Sequence, residues 1–170
     1  MLKEWNQTPG PLVERRVHDM ICDEMARQGS DATAVVGWDA TLSNRELDVL
    51  STALAGELLS KGVGANGSRF VPFCFEKSTF AVVAMLAVLK AGAAFVPLDP
   101  THPVARLREI VGDCAANVVL CSPKYKDLCA QVANTVVPVD LGVLKRLEAT
   151  RLTLTPEGEL ARFVYFAPAP

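Results

Sequence analysis

The sequence has little of what marks a metal protein, a secreted protein or a nucleic-acid-binding protein. It contains two histidines and no Cys-x-x-Cys pair, which argues against a structural zinc site. Its formal net charge is −2, so there is no electrostatic reason to expect nucleic acid or an anionic membrane as a partner. No apolar run approaches the roughly 20 residues that span a bilayer, and the first residues show no signal-peptide core. These absences favour a globular domain with no nucleic-acid or membrane partner.

Disulfide bonds are also not expected. The five cysteines are an odd number, and several have apolar neighbours, as in Phe73-Cys74-Phe75 and Leu120-Cys121. Free cysteine is among the most frequently buried residue types, and thiols stay reduced in the cytosol. We therefore expect reduced, mostly buried thiols in a cytoplasmic protein.

What is present is a chain with the hydrophobic content of a folded domain. Half of its 170 residues are hydrophobic, which is enough for one real core. Helical spacing of apolar residues predicts helices over Val17–Gln28, 44–61, 79–91, 103–113 and 125–132, and a short helical turn over 143–147. Strands are predicted over 34–36, 41–42, 68–75, 117–121, 135–139 and 163–166, with a hairpin turn over 37–40. A further short apolar strand, closed by proline, is predicted after Gly92. Alternating strands and helices predict an α/β fold, a mostly parallel sheet flanked by helices.

Two helix starts have strong local signals. Ser43 and Glu46 match a capping box, and leucines follow at core-facing spacing: Leu47, Leu50, Leu54 and Leu58. Ser78 can cap the helix after it, which is apolar on every side over 80–89 and should be covered on every side. Gly92 then ends the helix, and the strand that follows is too apolar to be half exposed.

Several short runs resemble parts of a ligand-binding site, but a structural role explains each of them better. The run 62–67 matches G-x-G-x-x-G, but a helix precedes it and a strand follows it, which is the reverse of a dinucleotide fingerprint. The Glu76-Lys77-Ser78 run lies where a strand gives way to a helix, and a helix N-terminus can bind an anion. We interpret Ser78 as the helix cap and Glu76 and Lys77 as a solvated pair of charges. Asp99 is expected to bond its own turn.

The histidines are not expected to be catalysts or ligands. His18 has Asp19 as its sequence neighbour, which should face elsewhere on a helix. His102 precedes Pro103, the expected first helical residue, and is read as a turn residue or a helix cap. No G-x-x-x-x-G-K-[ST] phosphate loop occurs in the sequence. We therefore assign no catalytic, cofactor-binding or metal-binding residue to this chain.

The run Leu89-Lys90-Ala91-Gly92-Ala93-Ala94-Phe95-Val96-Pro97-Leu98-Asp99-Pro100 closely resembles a signature segment of the adenylation domains of non-ribosomal peptide synthetases. The run 42–47 resembles the L-[TS]-Y-x-E-L motif of that family, with Asn44 in place of the usual aromatic residue. Trp5-Asn6 with Pro11 resembles the linker from a preceding condensation domain. The sequence over 71–78 looks most like that of fungal synthetases. The resemblance covers nearly the whole chain.

The resemblance implies a domain plan and a missing part. Residues 1–16 are expected to be the linker, 17–166 the N-terminal subdomain of an adenylation domain, and 167–170 the start of a linker or the end of the piece. The family places next a loop that holds the phosphates of ATP, close to T-S-G-S-T-G-x-P-K-G. Here Ala167-Pro168-Ala169-Pro170 offers no hydroxyl and no glycine. The later segments that bind adenine, Mg²⁺ and the amino acid are not in the sequence either.

Two explanations fit, a piece cut from a larger enzyme or a degenerate, truncated subdomain, and the altered loop favours the second. The leading hypothesis is therefore an inactive subdomain with an architectural role, which binds no ATP or Mg²⁺ by itself. Its expected partners are the neighbouring condensation and carrier-protein domains, or a second copy through an exposed apolar surface. The alternative is a fragment of a competent domain that activates an amino acid with ATP and loads a carrier-protein thiol. A relative of acyl-CoA or aryl-CoA ligases is disfavoured by the linker and the Pro-Leu-Asp-Pro run.

Overall fold

The computed structural model describes residues 14–64 and 67–154. The helices are α1 Val17–Gln28, α2 Asn44–Ser60, α3 Thr79–Lys90, α4 Val104–Asp113, α5 Lys126–Cys129 and α6 Leu141–Leu154, with a 3₁₀ turn over Pro123–Tyr125. The strands are β1 Thr33–Val36, β2 Thr41–Ser43, β3 Phe70–Cys74, β4 Ala94–Pro97, β5 Val119–Cys121 and β6 Val136–Pro138. The expected strand over 163–166, most of the linker over 1–16 and the segment 167–170 lie outside the described residues.

A four-stranded parallel sheet forms the centre of the fold. Its strands lie in the order β4-β3-β5-β6, and every neighbouring pair is parallel. β1 and β2 form a separate antiparallel hairpin, closed by the Gly37 N–H donating to the Ala40 carbonyl at 2.9 Å. The predicted architecture, a mostly parallel sheet flanked by helices, is confirmed.

The sheet buries a different set of side chains on each face. Residues Val71 and Leu120 pack in the larger core with α2, α3 and α6. Their strand neighbours Cys74, Val119 and Cys121 pack in the smaller core with α4 and α5. Side chains alternate across a pleated strand, so one sheet supplies both cores and needs a helical layer on each side.

The α2 helix begins at the predicted capping box. The Ser43 hydroxyl accepts a hydrogen bond from the Glu46 N–H at 3.3 Å, and the Glu46 carboxylate accepts one from the Ser43 N–H at 2.8 Å. The four leucines that follow at helical spacing are all buried, with Leu54 and Leu58 fully so. The predicted core face of α2 is therefore confirmed.

The α3 helix is enclosed, as its composition predicts. The Ser78 hydroxyl caps it by accepting a hydrogen bond from the Ala81 N–H at 3.2 Å. Every residue of α3 is buried or half-buried. Gly92 follows the helix with φ of 76°, a left-handed conformation that suits glycine. The helix-stop prediction is confirmed.

The prediction that the strand after Gly92 is fully buried is wrong. In β4, Ala94 and Pro97 are exposed, and Phe95 and Val96 are half-buried. The reason is topological, because β4 is the outer strand of the described sheet and has a neighbour on only one side. The amino-acid composition of a strand gives its hydrophobicity, whereas the position of the strand in the sheet determines how much of it is buried.

Several predicted boundaries shift. Pro103 is the residue before α4 rather than its first helical residue, and the strand predicted over 68–75 is shorter. The helix predicted over 125–132 is a 3₁₀ turn followed by the four-residue α5. The helical turn predicted over 143–147 is part of the 14-residue α6. The Val143 N–H donates to Asp140 Oδ1 at 2.7 Å, and this bond at the start of α6 was not anticipated.

The α1 helix has the predicted bounds but a more exposed apolar face. Met25 is buried, whereas Val17, Met20 and Ile21 are exposed by 61%, 43% and 36%. Helical spacing correctly identified one apolar side, although the described residues cover only part of it. None of the helices in the described portion is both long and apolar enough to cross a bilayer.

Candidate functional site

The carboxyl edge of the parallel sheet is the place to look for a ligand site. In open α/β sheets, ligands bind in crevices outside the carboxyl ends of the strands. Four segments meet this edge here, and they begin after β3, β4, β5 and β6. Their polar residues include Glu76, Lys77, Ser78, Asp99, Thr101, Ser122, Lys124 and Asp140, and the β1–β2 hairpin adds Trp38 and Asp39.

Glu76 and Ser122 bond to each other across neighbouring strands. The Ser122 hydroxyl donates to Glu76 Oε2 at 2.6 Å, and Ser122 is buried. The Ser122 N–H donates to the Cys74 carbonyl at 3.0 Å, which continues the β3–β5 ladder beyond the strand ends. Glu76 therefore stabilises the sheet edge, and it is not the solvated partner of Lys77 that the sequence suggested.

The hairpin is fastened to the start of α3 by three bonds. The Trp38 indole N–H donates to the Lys77 carbonyl at 2.8 Å. The Thr79 N–H donates to Asp39 Oδ1 at 2.9 Å, and the Thr79 hydroxyl donates to the Ala40 carbonyl at 2.8 Å. Partial burial works against ionisation of Asp39, but the hydrogen bonds from Thr79 hold the pKa of its carboxyl below the usual range.

Asp99 has the structural role that the sequence predicts. Its Oδ1 accepts hydrogen bonds from the Thr101 N–H at 2.9 Å and from the Thr101 hydroxyl at 2.7 Å. These bonds lower the pKa of the Asp99 carboxyl. The His102 N–H donates to the Asp99 carbonyl at 3.1 Å, which makes His102 a turn residue. The Pro-Leu-Asp-Pro run therefore closes its own turn.

The other predicted features lie away from this edge. His18 Nε2 lies 3.7 Å from Asp19 Oδ1, so the expectation that Asp19 faces elsewhere is wrong. Burial lowers the pKa of His18 more than Asp19 raises it. Gly62 and Gly64 have φ values of 77° and 125° after α2, which fits a helix stop and a turn.

The cysteines are free, and three of the five are buried. Cys74 and Cys121 are paired across β3 and β5, and Cys129 of α5 packs in the same core. Hydrogen bonding to Cys129 and burial both raise the pKa of the Cys74 thiol. Hydrogen bonding with Cys121 raises the pKa of Cys129 to about 12. Among the described residues, no group of histidine, cysteine or acidic side chains is arranged to hold a metal ion.

Sequence reasoning missed two buried polar residues. Asn44 is 3% exposed, and its amide donates to the Gly29 carbonyl at 2.9 Å and to the Met25 carbonyl at 3.3 Å. The amide thereby satisfies carbonyls at the end of α1. Lys90 is 9% exposed, and its ammonium donates to Asp48 Oδ1 at 2.6 Å. A lone lysine in an otherwise apolar helix was the available signal, since a charge there needs a partner.

The fold defines a class of protein, the parallel α/β domain. The polar side chains at the carboxyl edge of its sheet are hydrogen-bonded within the domain. The AMP-binding enzyme family matches residues 22–162. The chain belongs to the AMP-binding enzyme family.

The similar proteins are fungal synthetases. The chain is 45% identical over 135 residues to nonribosomal peptide synthetase TES of Alternaria alternata, covering 79% of the chain and 3% of that protein. It is 42% identical over 147 residues to nonribosomal peptide synthetase 4 of Gibberella zeae, covering 86% of the chain and 2% of that protein. The chain therefore spans a small fraction of the relatives it matches, and its resemblance to nonribosomal peptide synthetases is confirmed.

Solved structures share the fold. The nonribosomal peptide synthetase FmoA3, in a form bound to α-methyl-L-serine-AMP, matches with a TM-score of 0.68 and 25% identity. That match covers 80% of this chain and 15% of FmoA3. VinN matches with a TM-score of 0.70 and 21% identity, covering 80% of this chain and 35% of VinN. The second likeness concerns the fold alone.

Proposed function

We propose that this chain is an adenylation subdomain of a nonribosomal peptide synthetase with an architectural role, and that it does not adenylate by itself. One observation carries the proposal. At the carboxyl edge, the carboxylates of Glu76, Asp99, Asp39 and Asp140 all accept hydrogen bonds from the subdomain itself. Each of these bonds engages a carboxylate oxygen in a turn, a helix start or the sheet edge, so all four side chains have a structural role in the subdomain.

ATP and Mg²⁺, which the family implies, do not fit the residues present. Phosphate groups need a cradle of backbone N–H groups and a cation, and Mg²⁺ needs oxygen ligands grouped around one position. Among the residues that the structure describes, no acidic, histidine or cysteine side chains are grouped in that way. At the described edge, the N–H groups of Thr79 and Thr101 already donate to Asp39 and Asp99. Lys77 before α3 and Lys124 after β5 are exposed, but lysines without a cradle of free N–H groups do not make a phosphate site. We derive no catalytic step through a nucleotide.

The architectural role requires surfaces that meet neighbouring domains. We assign residues 1–16 to a linker from a condensation domain, and 17–166 to the subdomain. The exposed apolar strip of α1, formed by Val17, Met20 and Ile21, lies directly after that linker. Large exposed apolar side chains on one helix favour packing against a partner, which would be a neighbouring synthetase domain, a carrier protein or a second copy.

The alternative function is a contribution to a competent ligase that activates an amino acid and loads a carrier-protein thiol. It is supported by the 45% identity to a synthetase and by a fold like that of FmoA3, which was solved with an aminoacyl adenylate. In that case residues 22–154 would supply scaffold, and residues outside this chain would supply the chemistry.

A chimera separates the two functions. In a competent relative, the segment matching residues 22–154 is replaced by these residues, and ATP–pyrophosphate exchange is measured with a panel of amino acids. The unmodified relative and the present chain alone are the controls, and thermal melting establishes that each protein is folded. A folded chimera without exchange supports the architectural role. Exchange by the chimera supports the alternative, and exchange by the chain alone contradicts the proposed inactivity.

A further inference from the structure

The solvent-facing side of α1 carries an apolar strip beside a groove. The strip consists of Val17, Met20 and Ile21, which are all exposed and share one side of the helix. A groove with a volume of about 450 Å³ is lined by this strip and by residues of β1 and α2, and the buried Met25 and Leu47 also line it. Strip and groove together form an apolar surface that can receive aliphatic side chains from another molecule.

The two ends of the strip carry charges of opposite sign. Residues 14–16, just before α1, have a net charge of +1, whereas residues 23–28, in its second half, have a net charge of −1. Arg16 and Glu24 belong to these two groups, and each forms an ion pair with a neighbour on the same helix through side chains that are 37–73% exposed. Exposed ion pairs contribute little to folding, so their members remain available to another molecule.

This surface is complementary to a second copy of itself turned end to end. Met20 lies four residues after Arg16 and four residues before Glu24. A two-fold axis beside Met20 therefore sets the two apolar strips against each other and brings Arg16 level with Glu24 of the partner subunit. Parallel helices would instead place each of these charges against its own copy. The charges of α1 thus favour the antiparallel arrangement.

The size of the surface sets the strength of such a contact. The α1 helix has 12 residues, which corresponds to a length of about 18 Å. One short helix and the groove beside it offer less area than the roughly 800 Å² per partner of a stable interface. The contact is therefore of the weak, reversible kind, and it forms only at high protein concentration or between copies that are held close together.

We propose that the apolar strip of α1 docks against the same strip of a second copy of this chain, as an antiparallel two-fold pair in which Arg16 faces Glu24 of the partner subunit. Aliphatic side chains at the centre enter the partner's groove, and the ion pairs at the rim fix the orientation. This inference deepens the architectural role proposed above and rests on it, because it names the partner that the role requires.

Sedimentation equilibrium of the full 170-residue chain, over roughly 1 to 300 µM, measures the pairing. We expect a reversible monomer–dimer equilibrium. Met20→Lys places a charge in the strip and should raise the dissociation constant by at least about tenfold. Ala26→Lys is the matched control, because Ala26 is exposed and lies nine residues after Val17, on the opposite side of α1. The control should leave the dissociation constant unchanged, and circular dichroism establishes that each variant is folded.

Charge reversal tests the orientation of the two helices. Arg16→Glu or Glu24→Arg alone sets like charges opposite each other, so each should raise the dissociation constant by about threefold or more. The double variant restores opposite charges across the interface and should return the dissociation constant to within about twofold of the parent value. Within one copy, the double variant sets like charges against both Asp19 and Arg27, so the recovery cannot arise in the monomer.

Each other result overturns the inference. A chain that stays monomeric over the whole concentration range has no such partner, which is the outcome if a neighbouring domain covers the strip. A dimer that Met20→Lys leaves intact forms elsewhere on the surface, and single reversals that the double variant does not rescue contradict the antiparallel arrangement. ATP–pyrophosphate exchange is a separate measurement on the same chain. A monomer without exchange removes only the pairing, whereas exchange contradicts the proposed function in either oligomeric state.

Discussion

The ammonium of Lys90 lies 2.6 Å from Asp48 Oδ1 and joins the end of α3 to the first half of α2. It also donates to the Ser51 hydroxyl at 2.8 Å and to the Thr52 hydroxyl at 2.9 Å. Lys90 is nine-tenths buried, whereas the Asp48 side chain is 52% exposed. The lysine is therefore the member of this pair that depends on its partners, because it alone has left solvent.

Replacing Lys90 should destabilise the fold. Lys90→Met retains an unbranched side chain of similar length but removes the ammonium and its hydrogen bonds to α2. The expected cost is about 1–3 kcal/mol in the free energy of unfolding. Urea denaturation measures the change. Lys77→Met is the control, since Lys77 is exposed, and its effect should stay within about 0.5 kcal/mol. Equal effects of the two substitutions would mean that the Lys90 bonds contribute nothing net.

Gly37 should not tolerate a side chain. A β-carbon at this position would lie 2.7 Å from Asp39 Oδ1 and against the Thr79 hydroxyl. Gly37→Ala is therefore expected to displace the bonds that hold the hairpin to α3 and to cost about 1–3 kcal/mol.

Gly56→Ala is the matched control for Gly37→Ala. Gly56 lies inside α2, and its β-carbon would meet nothing within 4 Å. Alanine is the better helix former by roughly 0.5–1 kcal/mol, so this substitution should stabilise the chain. Thermal melting of both variants checks the opposite signs, and a stabilising Gly37→Ala would refute the packing at the hairpin.

The capping box should couple Ser43 to Glu46 in a pH-dependent way. Hydrogen bonds from the Ser43 N–H and hydroxyl lower the pKa of the Glu46 carboxyl from its ordinary value of 4.5. A carboxyl with a lowered folded pKa stabilises the fold fully above the ordinary value, and this contribution is lost as the pH falls through the folded value. A double-mutant cycle with Ser43→Ala and Glu46→Gln should show coupling at pH 7 that shrinks at pH 3. Coupling that grows on acidification would contradict the ionised cap.

The thiols should react in two groups. Cys22 and Cys114 are half-buried, whereas Cys74, Cys121 and Cys129 are buried. Brief alkylation of the native chain, read out by peptide mass spectrometry, should label the first pair and leave the buried three unmodified until denaturant is added. Burial raises the pKa of Cys22 and of Cys114, so their labelling should be slow at pH 7 and faster at higher pH. Native labelling of Cys129 at the rate of Cys114 would show that the α5 core is open.

Local patterns predicted the helices well and the sheet edge poorly. The bounds of α1, the cap of α2 and the enclosure of α3 follow from residue spacing and from single capping side chains, which act within one turn of helix. The predicted burial of β4 was wrong, because an apolar strand can have the same sequence pattern at the centre and at the edge of a sheet. The extent of α6 was underestimated, since its apolar spacing is weak and its start at Asp140 was not recognised.

In the candidate site too, contacts between near neighbours in sequence were predictable, and contacts between distant residues were not. The turn role of Asp99 was predictable, because its partner Thr101 is two residues away. The bond between Ser122 and Glu76 was not, since these residues are far apart in sequence and meet only because β5 lies beside β3.

The amino-acid sequence by itself determined the family, the helix starts and the α/β alternation, because these depend on neighbours within a few positions. Only the tertiary structure decided which strand lies outermost, which face α6 covers, and which carboxylates are already bonded. Those outcomes depend on contacts between distant segments, such as the one that brings Lys90 to Asp48. Strand order and helix side arise from the packing of the whole sheet, and no local pattern encodes them.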